Sequence, residues 1–278
     1  MFAGRNLVIA TKHQKEKVIA PLLENQFKVK CIPAAGFDTD ELGTFTGEIE
    51  RKDDPVTTLR KKCLIAMEKT NCDLGIASEG SFGPHPALVF VNADDELMML
   101  IDKRNNLEII ARELSTETNF NGREIKDEKN LVDFAVSVLF PSHALIMREE
   151  RDGKSKLVKG IHDWELLKHT FQGLINEFGT AYAETDMRAM HNPTRMKVIK
   201  RATEKLIEKT MSFCPQCGMP GFGITDARRG LPCSLCGSQT QSTLSHLYVC
   251  SKCNHAKEIL FPNEKKTEDP MYCDVCNP

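Results

Sequence analysis

Apolar and polar positions alternate with two different periods along the first third of the chain. Leu7-Val8-Ile9-Ala10 is a short apolar run that predicts a strand, followed at once by the polar Thr11-Lys12-His13-Gln14-Lys15. Between Glu16 and Asn25, Val18, Ile19, Leu22 and Leu23 recur at helical spacing, with Pro21 predicting a kink. Phe27 to Ile32 alternates and reads as a second strand. Strand, polar turn, helix, strand is the start of an α/β domain. Pro33 to Asp54 has no period and is rich in Gly, Thr and acids; so long a loop in a compact domain is expected to be functional or flexible. Asp54 and Pro55 read as the N-cap and first-turn proline of a helix over Val56 to about Lys69, with Leu59, Cys63, Ala66 and Met67 on one face.

Leu74 to Ala77 predicts a further strand, which breaks into Ser78-Glu79-Gly80-Ser81-Phe82-Gly83-Pro84-His85-Pro86. Conformationally special residues just past a strand's C-terminal end are what open α/β sheets use to bind ligands. Ala87 to Val91, Leu97 to Ile101 and Leu107 to Ala111 read as three strands joined by tight polar turns at Asn92–Asp95 and Lys103–Asn106. Ser115 to Asp127 reads as polar loop and Glu128 to Leu139 as an amphipathic helix stopped by Pro141. His143 to Met147 and Lys156 to Ile161 form an expected hairpin across Arg151–Lys154, and Asp163 caps a helix over Trp164 to Phe178. Thr194 is the expected cap of a helix running to Met211. From Met187 to Met211 seven Lys/Arg face two acids, so the segment carries +5. The fold expected is α/β: a mixed-sheet domain with helices packed on it over 1–182, a basic connecting helix over 183–211, and a small double zinc-ribbon domain over 212–278.

Composition changes this picture little. The chain has 278 residues, 41% hydrophobic and 27% charged, with a net charge of −2, so no global field draws it to nucleic acid or anionic membrane. No apolar run approaches the roughly 18 residues of a membrane span, and Met1 to Asn6 lacks a signal peptide's basic-then-apolar plan. The expectation is a cytoplasmic protein without a membrane partner.

The cysteines say more. Of 11, Cys31, Cys63 and Cys72 sit among apolar neighbours, while Cys214/Cys217, Cys233/Cys236, Cys250/Cys253 and Cys273/Cys276 form four C-x-x-C pairs separated by 15, 13 and 19 residues. Paired thiolates in a reducing compartment suit tetrahedral Zn(II), and eight of them make two structural sites. Gly218 and Gly237 follow the second sulfur of their pairs, where a knuckle needs positive φ. Loop lengths permit sequential pairing (first with second, third with fourth) or crossed pairing (first with third, second with fourth); sequential is the slightly preferred expectation. His246 and His255 read as surface residues. Six Lys/Arg and six Asp/Glu follow Ser212, and two zinc–tetrathiolate centres bring the module to about −4, the wrong sign for a phosphate backbone.

Three polar clusters lie at element junctions in the first ninety residues: Thr11 to Lys15; the acids Asp38, Asp40, Glu41, Glu48, Asp53 and Asp54; and Asp73 with Glu79. Cations at one junction and carboxylates at two others suit a phosphorylated substrate with Mg(II). LVIATKHQK, DDPVTTLRKKCLIAM and CDLGIASEGS together resemble the layout of the inosine/xanthosine triphosphate pyrophosphatases and their Maf-type relatives. That resemblance implies phosphate contacts from Thr11 and Lys15, with Lys12 standing where the family has Asn. It also implies a metal-binding Asp54, a basic Lys62, and Glu79 as the carboxylate that binds Mg(II) or activates water. Phe82 to Pro86 departs from the family's continuation. The full chain also resembles a bacterial family of unassigned function with terminal C-x-x-C pairs. The reading that follows is a Mg-dependent hydrolase of a nucleotide or related phosphate ester. Glu79, Asp54 and Asp73 are its candidate catalytic residues, and Thr11, Lys12, Lys15, Lys62, Ser81, Arg188 and Arg195 its phosphate contacts. His85 is a candidate proton donor, and His191 joins Arg188 and Arg195 in closing over the phosphates. The alternatives are a non-enzymatic zinc-ribbon binding protein, or a nucleic-acid-associated protein using Met187 to Met211.

Overall fold

A computed structural model describes residues 1–34, 53–88, 90–153 and 155–278. The acid-rich stretch 35–52, expected as a functional loop, lies outside the described residues. The chain divides into two compact units, Met1–Leu206 and Ile207–Pro278.

The first unit holds a five-stranded mixed sheet in the order β2-β1-β3-β4-β5, built from β1 (Asn6–Ala10), β2 (Lys30–Pro33), β3 (Leu74–Pro84), β4 (Asn92–Asp102) and β5 (Leu107–Ser115). β1 pairs in parallel with both β2 and β3, and β3, β4 and β5 form an antiparallel meander. α1 (Glu16–Phe27) links β1 to β2 on one side, and α2 (Pro55–Lys69) carries the chain back past β1 to β3 on the other. Right-handed crossovers in opposite directions put the two helices on opposite faces of the sheet. The gap beyond the C-terminal end of β1, beside the continuing β3, is therefore a topological switch point. On the α2 face, Leu59, Cys63, Ala66 and Met67 pack on Val8, Ala10, Ala77 and Met99.

A four-stranded antiparallel sheet, β6-β9-β7-β8, completes the unit: β6 (Gly122–Ile125), β7 (Leu145–Arg148), β8 (Leu157–Ile161) and β9 (Ala181–Thr185). Its core joins Leu145, Met147, Ile161 and Ala183 to Leu131 and Phe134 of α3 (Glu128–Ser137) and to Leu167, Phe171 and Leu174 of α4 (Trp164–Phe178). α5 (Pro193–Met211) is the last helix. The second unit carries a three-stranded antiparallel sheet of β10 (Ile224–Arg229), β11 (Thr243–Val249) and β12 (Ala256–Leu260).

Several expectations need correction. Ser78 to Pro84 is strand, not loop: β3 runs on to Pro84 and pairs residue by residue with β4. Asn92–Asp95 is the start of β4 rather than a turn, and the described part of Ala87–Val91 is the hairpin connection. Phe27 closes α1, because Lys28 adopts the left-handed conformation and caps the helix. β6 arises in the segment read as polar loop, and β9 takes up Ala183 to Thr185, expected as part of the connecting helix. α5 starts from Asn192, whose side-chain oxygen accepts from Arg195 N at 2.9 Å, so Asn192 rather than Thr194 is the cap. Asp54 and Asp163 cap their helices as expected.

One ion-pair cluster ties the other end of the sheet together. Arg5 donates to Asp102 at 2.9 and 2.7 Å and to Asp73 at 2.9 Å, and Asp73 also accepts from Arg104. Burial pushes the Asp102 carboxyl up, but hydrogen bonds from Arg5 and Asn105 outweigh it and hold the group below its ordinary value. A carboxyl shifted this way contributes stability above its unfolded pKa, and that stability is lost as pH falls through the folded value. Arg5→Met leaves Asp102 buried and unpaired. It is expected to destabilise the protein by about 3–5 kcal/mol at neutral pH, with the deficit shrinking as pH falls from about 7 to about 3, because the unpaired buried carboxyl of the variant protonates above its ordinary value. Denaturant unfolding of both proteins across that pH range measures this.

Candidate functional site

The switch point gathers charge that the sheet shuts away from water. β1 ends at Ala10, opposite Ala77, while β3 continues, so Ser78 onward lacks a β1 neighbour. The β1–α1 turn folds into this gap with His13 at φ 64° and Gln14 at φ 62°. Two successive non-glycine residues in the left-handed region cost about 1–3 kcal/mol each, a strain characteristic of ligand sites. The turn directs Lys15 inward, where Nζ donates to Ser78 Oγ at 3.0 Å and lies 3.5 Å from Glu96 Oε2. From the other face α2 sends Lys62, whose Nζ donates to Glu79 Oε2 at 2.5 Å. Ser78 and Glu79 are consecutive on β3, so their side chains point to opposite faces, each meeting a lysine.

Opposite Gly80 on β4, Glu96 accepts from Arg195 Nε of α5 at 2.7 Å. Arg195 also donates to Met187 O, and its guanidinium lies 4.9 Å from the Phe82 ring centre. A Cβ on Gly80 would run into Glu96 and Arg195, so glycine is what lets the pair close over the strand. Lys15, Lys62, Ser78, Glu79, Asp94, Glu96 and Arg195 are all buried, and Thr11 Oγ1 is enclosed with no partner among the described residues. Burial drives the Lys15 ammonium down to about 8, against the pull of Glu96. Burial also raises Glu96, but Arg195 and Lys15 outweigh it and keep that carboxyl below its ordinary value.

Of the expected site residues, Lys15, Lys62, Glu79 and Arg195 come together, with Thr11 and Lys12 on the same turn. Others do not join them. Asp54 accepts from Val56 N and Thr57 N, both at 3.0 Å, and serves the start of α2. Asp73 belongs to the Arg5 cluster and lies six residues, about 20 Å, up the strand from Glu79. Ser81 sits on β3 opposite Asp95. Arg188 forms a two-pronged pair with Asp186 at 2.9 and 2.6 Å, and His191 is 2.8 Å from His162. His85 Nδ1 accepts from Ala87 N and Leu88 N at 3.1 and 3.0 Å, a turn-forming role. Ser78, Asp94 and Glu96 are members that sequence reasoning missed. The alternation Asp94-x-Glu96-x-Met98-x-Leu100 was the available signal for a strand with one buried face.

The basic segment is largely neutralised by acids within its own unit. Arg201 binds Glu113 at 3.0 Å and Glu117 at 2.9 Å, Lys205 binds Glu113 at 2.5 Å, and Lys200 lies 3.8 Å from Glu204.

In the second unit the cysteines form two clusters: Cys214, Cys217, Cys250 and Cys253, and Cys233, Cys236, Cys273 and Cys276. Pairing is therefore crossed, which overturns the sequential preference. Strand alternation is the reason. The first knuckle precedes β10 and the third joins β11 to β12, so they share one end of the antiparallel sheet; the second and fourth share the other. Sulfur–sulfur distances are 3.7 Å for Cys214–Cys253, 3.6 Å for Cys217–Cys250, 3.8 Å for Cys233–Cys276 and 3.6 Å for Cys236–Cys273. A tetrahedron with Zn–S bonds of about 2.3 Å has edges of about 3.8 Å, so both clusters fit a structural zinc ion. Gly218 and Gly237 take φ 69° and 73°, as a knuckle demands. Neither His246 nor His255 belongs to a cluster; His255 packs against Phe222. No helix among the described residues is long and apolar enough to cross a membrane.

A family model covers most of this ground, matching residues 62–278. The chain belongs to the family described as Domain of unknown function (DUF6671). The DUF6671 match takes in Lys62, Ser78, Glu79, Asp94, Glu96, Arg195 and all eight zinc-site cysteines, while Lys15 precedes it. No curated protein matches the chain.

Two measurements check these sites. Metal analysis is expected to return two zinc ions per chain, Cys214→Ser/Cys250→Ser to lose one, and Cys214→Ser/Cys233→Ser to lose both; the reverse pattern would restore sequential pairing. Lys62→Met is expected to cost about 3–5 kcal/mol by stranding Glu79, and adding Glu79→Leu to recover much of that loss in equilibrium unfolding.

Proposed function

We propose that the α/β unit binds a phosphorylated small molecule, a nucleotide or related phosphate ester, at the switch point and hydrolyses it. The observation carrying this reading is the convergence of Lys15 and Lys62, from opposite faces of the sheet, on the adjacent Ser78 and Glu79. Buried ammonium groups beyond the C-terminal end of a parallel strand suit an anion. The resemblance of the Thr11–Lys15, Lys62 and Glu79 segments to the inosine/xanthosine triphosphate pyrophosphatases supports the same substrate class.

Lys15 and Lys62 would neutralise phosphoryl oxygens as charge develops on them, and Glu79 would orient the attacking water. Ligand phosphate would compete with Glu79 for Lys62 and so release the carboxylate for that task. Were Mg(II) bound, Glu79 would be the carboxylate to hold it, since Asp54 is committed to the start of α2, and the ion would help neutralise charge on the phosphate. The nucleic-acid alternative draws little support from α5, whose cations are so largely paired.

Wild-type protein with Mg(II) is expected to release phosphate or pyrophosphate from at least one member of a nucleotide and phosphate-ester panel. Glu79→Gln should abolish release while leaving zinc content and far-UV circular dichroism unchanged. Because Lys15 loses its proton near pH 8, the apparent KM should rise above that pH. A wild type inert across the panel refutes hydrolysis, and retained phosphate binding in that protein would favour a non-catalytic ligand-binding role.

A further inference from the structure

Asp94 belongs to the buried cluster but has no part in the proposed chemistry. It stands two positions before Glu96 on β4, so both side chains face the same side of the sheet, about 7 Å apart along the strand. Their surroundings divide them. Glu96 receives Arg195 and Lys15. Asp94 has no exposed surface, and neither of its oxygens has a hydrogen-bond partner among the described residues. Its register partner on β3 is Phe82, whose ring lies against the Arg195 guanidinium. A buried polar group left without a partner calls for a functional explanation.

We propose that Asp94 is the proton donor of the switch-point site, held as a neutral carboxylic acid for the leaving group of the phosphate ester; this rests on the hydrolase reading above. The charged groups acting on it are Glu96 of its own strand, Arg195 of α5, Lys15 of the β1–α1 turn and, from the other face, Asp95. Burial and then Glu96 drive its carboxyl up to about 8, while Arg195 and Lys15 pull the other way without prevailing. Two carboxyls whose environments push their proton affinities apart are the usual layout of an acid beside a permanent anion. A divalent cation is a poor alternative occupant, since it would face Arg195 and Lys15 across Glu96.

The step balances. A water oxygen bonds to phosphorus as the bond from phosphorus to the leaving oxygen breaks. That oxygen takes the Asp94 proton and departs as an alcohol, and both protons of the water stay on the phosphate product. The product then gives up a proton to solvent, and exchange with solvent returns one to Asp94. Neither an oxidant nor a further co-reactant is needed.

The test uses the full-length, zinc-loaded protein and two esters of the phosphate compound turned over in the panel. One has a nitrophenyl leaving group, stable as an anion, and the other an alkyl leaving group that must be protonated. Asp94→Asn is expected to lower kcat/KM for the alkyl ester by about 100-fold or more, with less than about a 10-fold loss for the nitrophenyl ester. The wild type alone gives a second reading, independent of whether the variant folds. The ratio of alkyl to nitrophenyl kcat/KM should fall as pH rises through about 8. Deprotonation of Lys15 affects both esters alike and cancels in that ratio. Infrared spectra of the wild type should also show a carboxylic-acid band at pH 7 that is lost at high pH. Equal losses on the two esters, a ratio indifferent to pH, or an ionised carboxyl at pH 7 with both esters turned over would overturn the donor role alone. Failure of the wild type to turn over either ester would remove the hydrolase reading, and the donor role with it.

Discussion

The burial of Lys15, Lys62, Glu79, Asp94, Glu96 and Arg195 around the stretch of β3 that runs past the end of β1 constrains the rest of the first unit. Charges removed from water lose several kcal/mol of solvation each, and only close opposite partners return it. The partners come from distant parts of the chain: Lys15 precedes α1, Lys62 lies in α2, the carboxylates lie on β3 and β4, and Arg195 opens α5. The cluster therefore fixes the register of the β3–β4 hairpin, because a slip of one residue would turn Glu79 away from Lys62 and Glu96 away from Arg195. It also requires glycine at position 80, where any side chain would enter the space that Glu96 and Arg195 occupy.

That constraint explains which parts were legible in the sequence. β1, α1, α2 and α4 follow from apolar periodicity, because their buried faces are apolar and contribute to ordinary cores. The β3–β4 hairpin does not, because its distal half buries charge against charge. Ser78 to Pro84 therefore read as a loop and Asn92 to Asp95 as a turn, although all of them pair in the sheet. Lys15 and Glu79 were found because each read as standing at a junction where ligand contacts are expected, whereas Lys62, in the middle of α2, came only from the family resemblance. Asp94 and Glu96 were not, since acids among Asn and Ala look like solvent-exposed punctuation until a partner strand covers them. Arg195 was singled out for its charge; its attachment to Glu96, 99 positions away, is a tertiary fact that no local pattern carries.

The zinc unit shows the complementary case. Ligand identity, number and knuckle glycines were all readable, because C-x-x-C is a local geometry that the chain satisfies within four residues. Partnering was not, because it depends on which ends of β10, β11 and β12 coincide. Once those three strands alternate in direction, crossed pairing is the arrangement in which each zinc takes two knuckles from one end of the sheet.

Charge at the switch point gives the proton on Asp94 a wider consequence. With Asp94 neutral, the cations Lys15, Lys62 and Arg195 outnumber the carboxylates Glu79 and Glu96 by one. With Asp94 ionised the cluster is neutral and offers an entering phosphate no net attraction. The same proton would thus draw the anion in and later neutralise the leaving oxygen, which ties ligand capture and bond cleavage to one buried group. The constraint runs the other way as well. Placing a further cation beside Asp94 would ionise it and remove the hydrogen-bond donor. The absence of any ion partner for Asp94 among the described residues is therefore what the role requires, and it is the feature that distinguishes Asp94 from Glu96 two residues along the same strand.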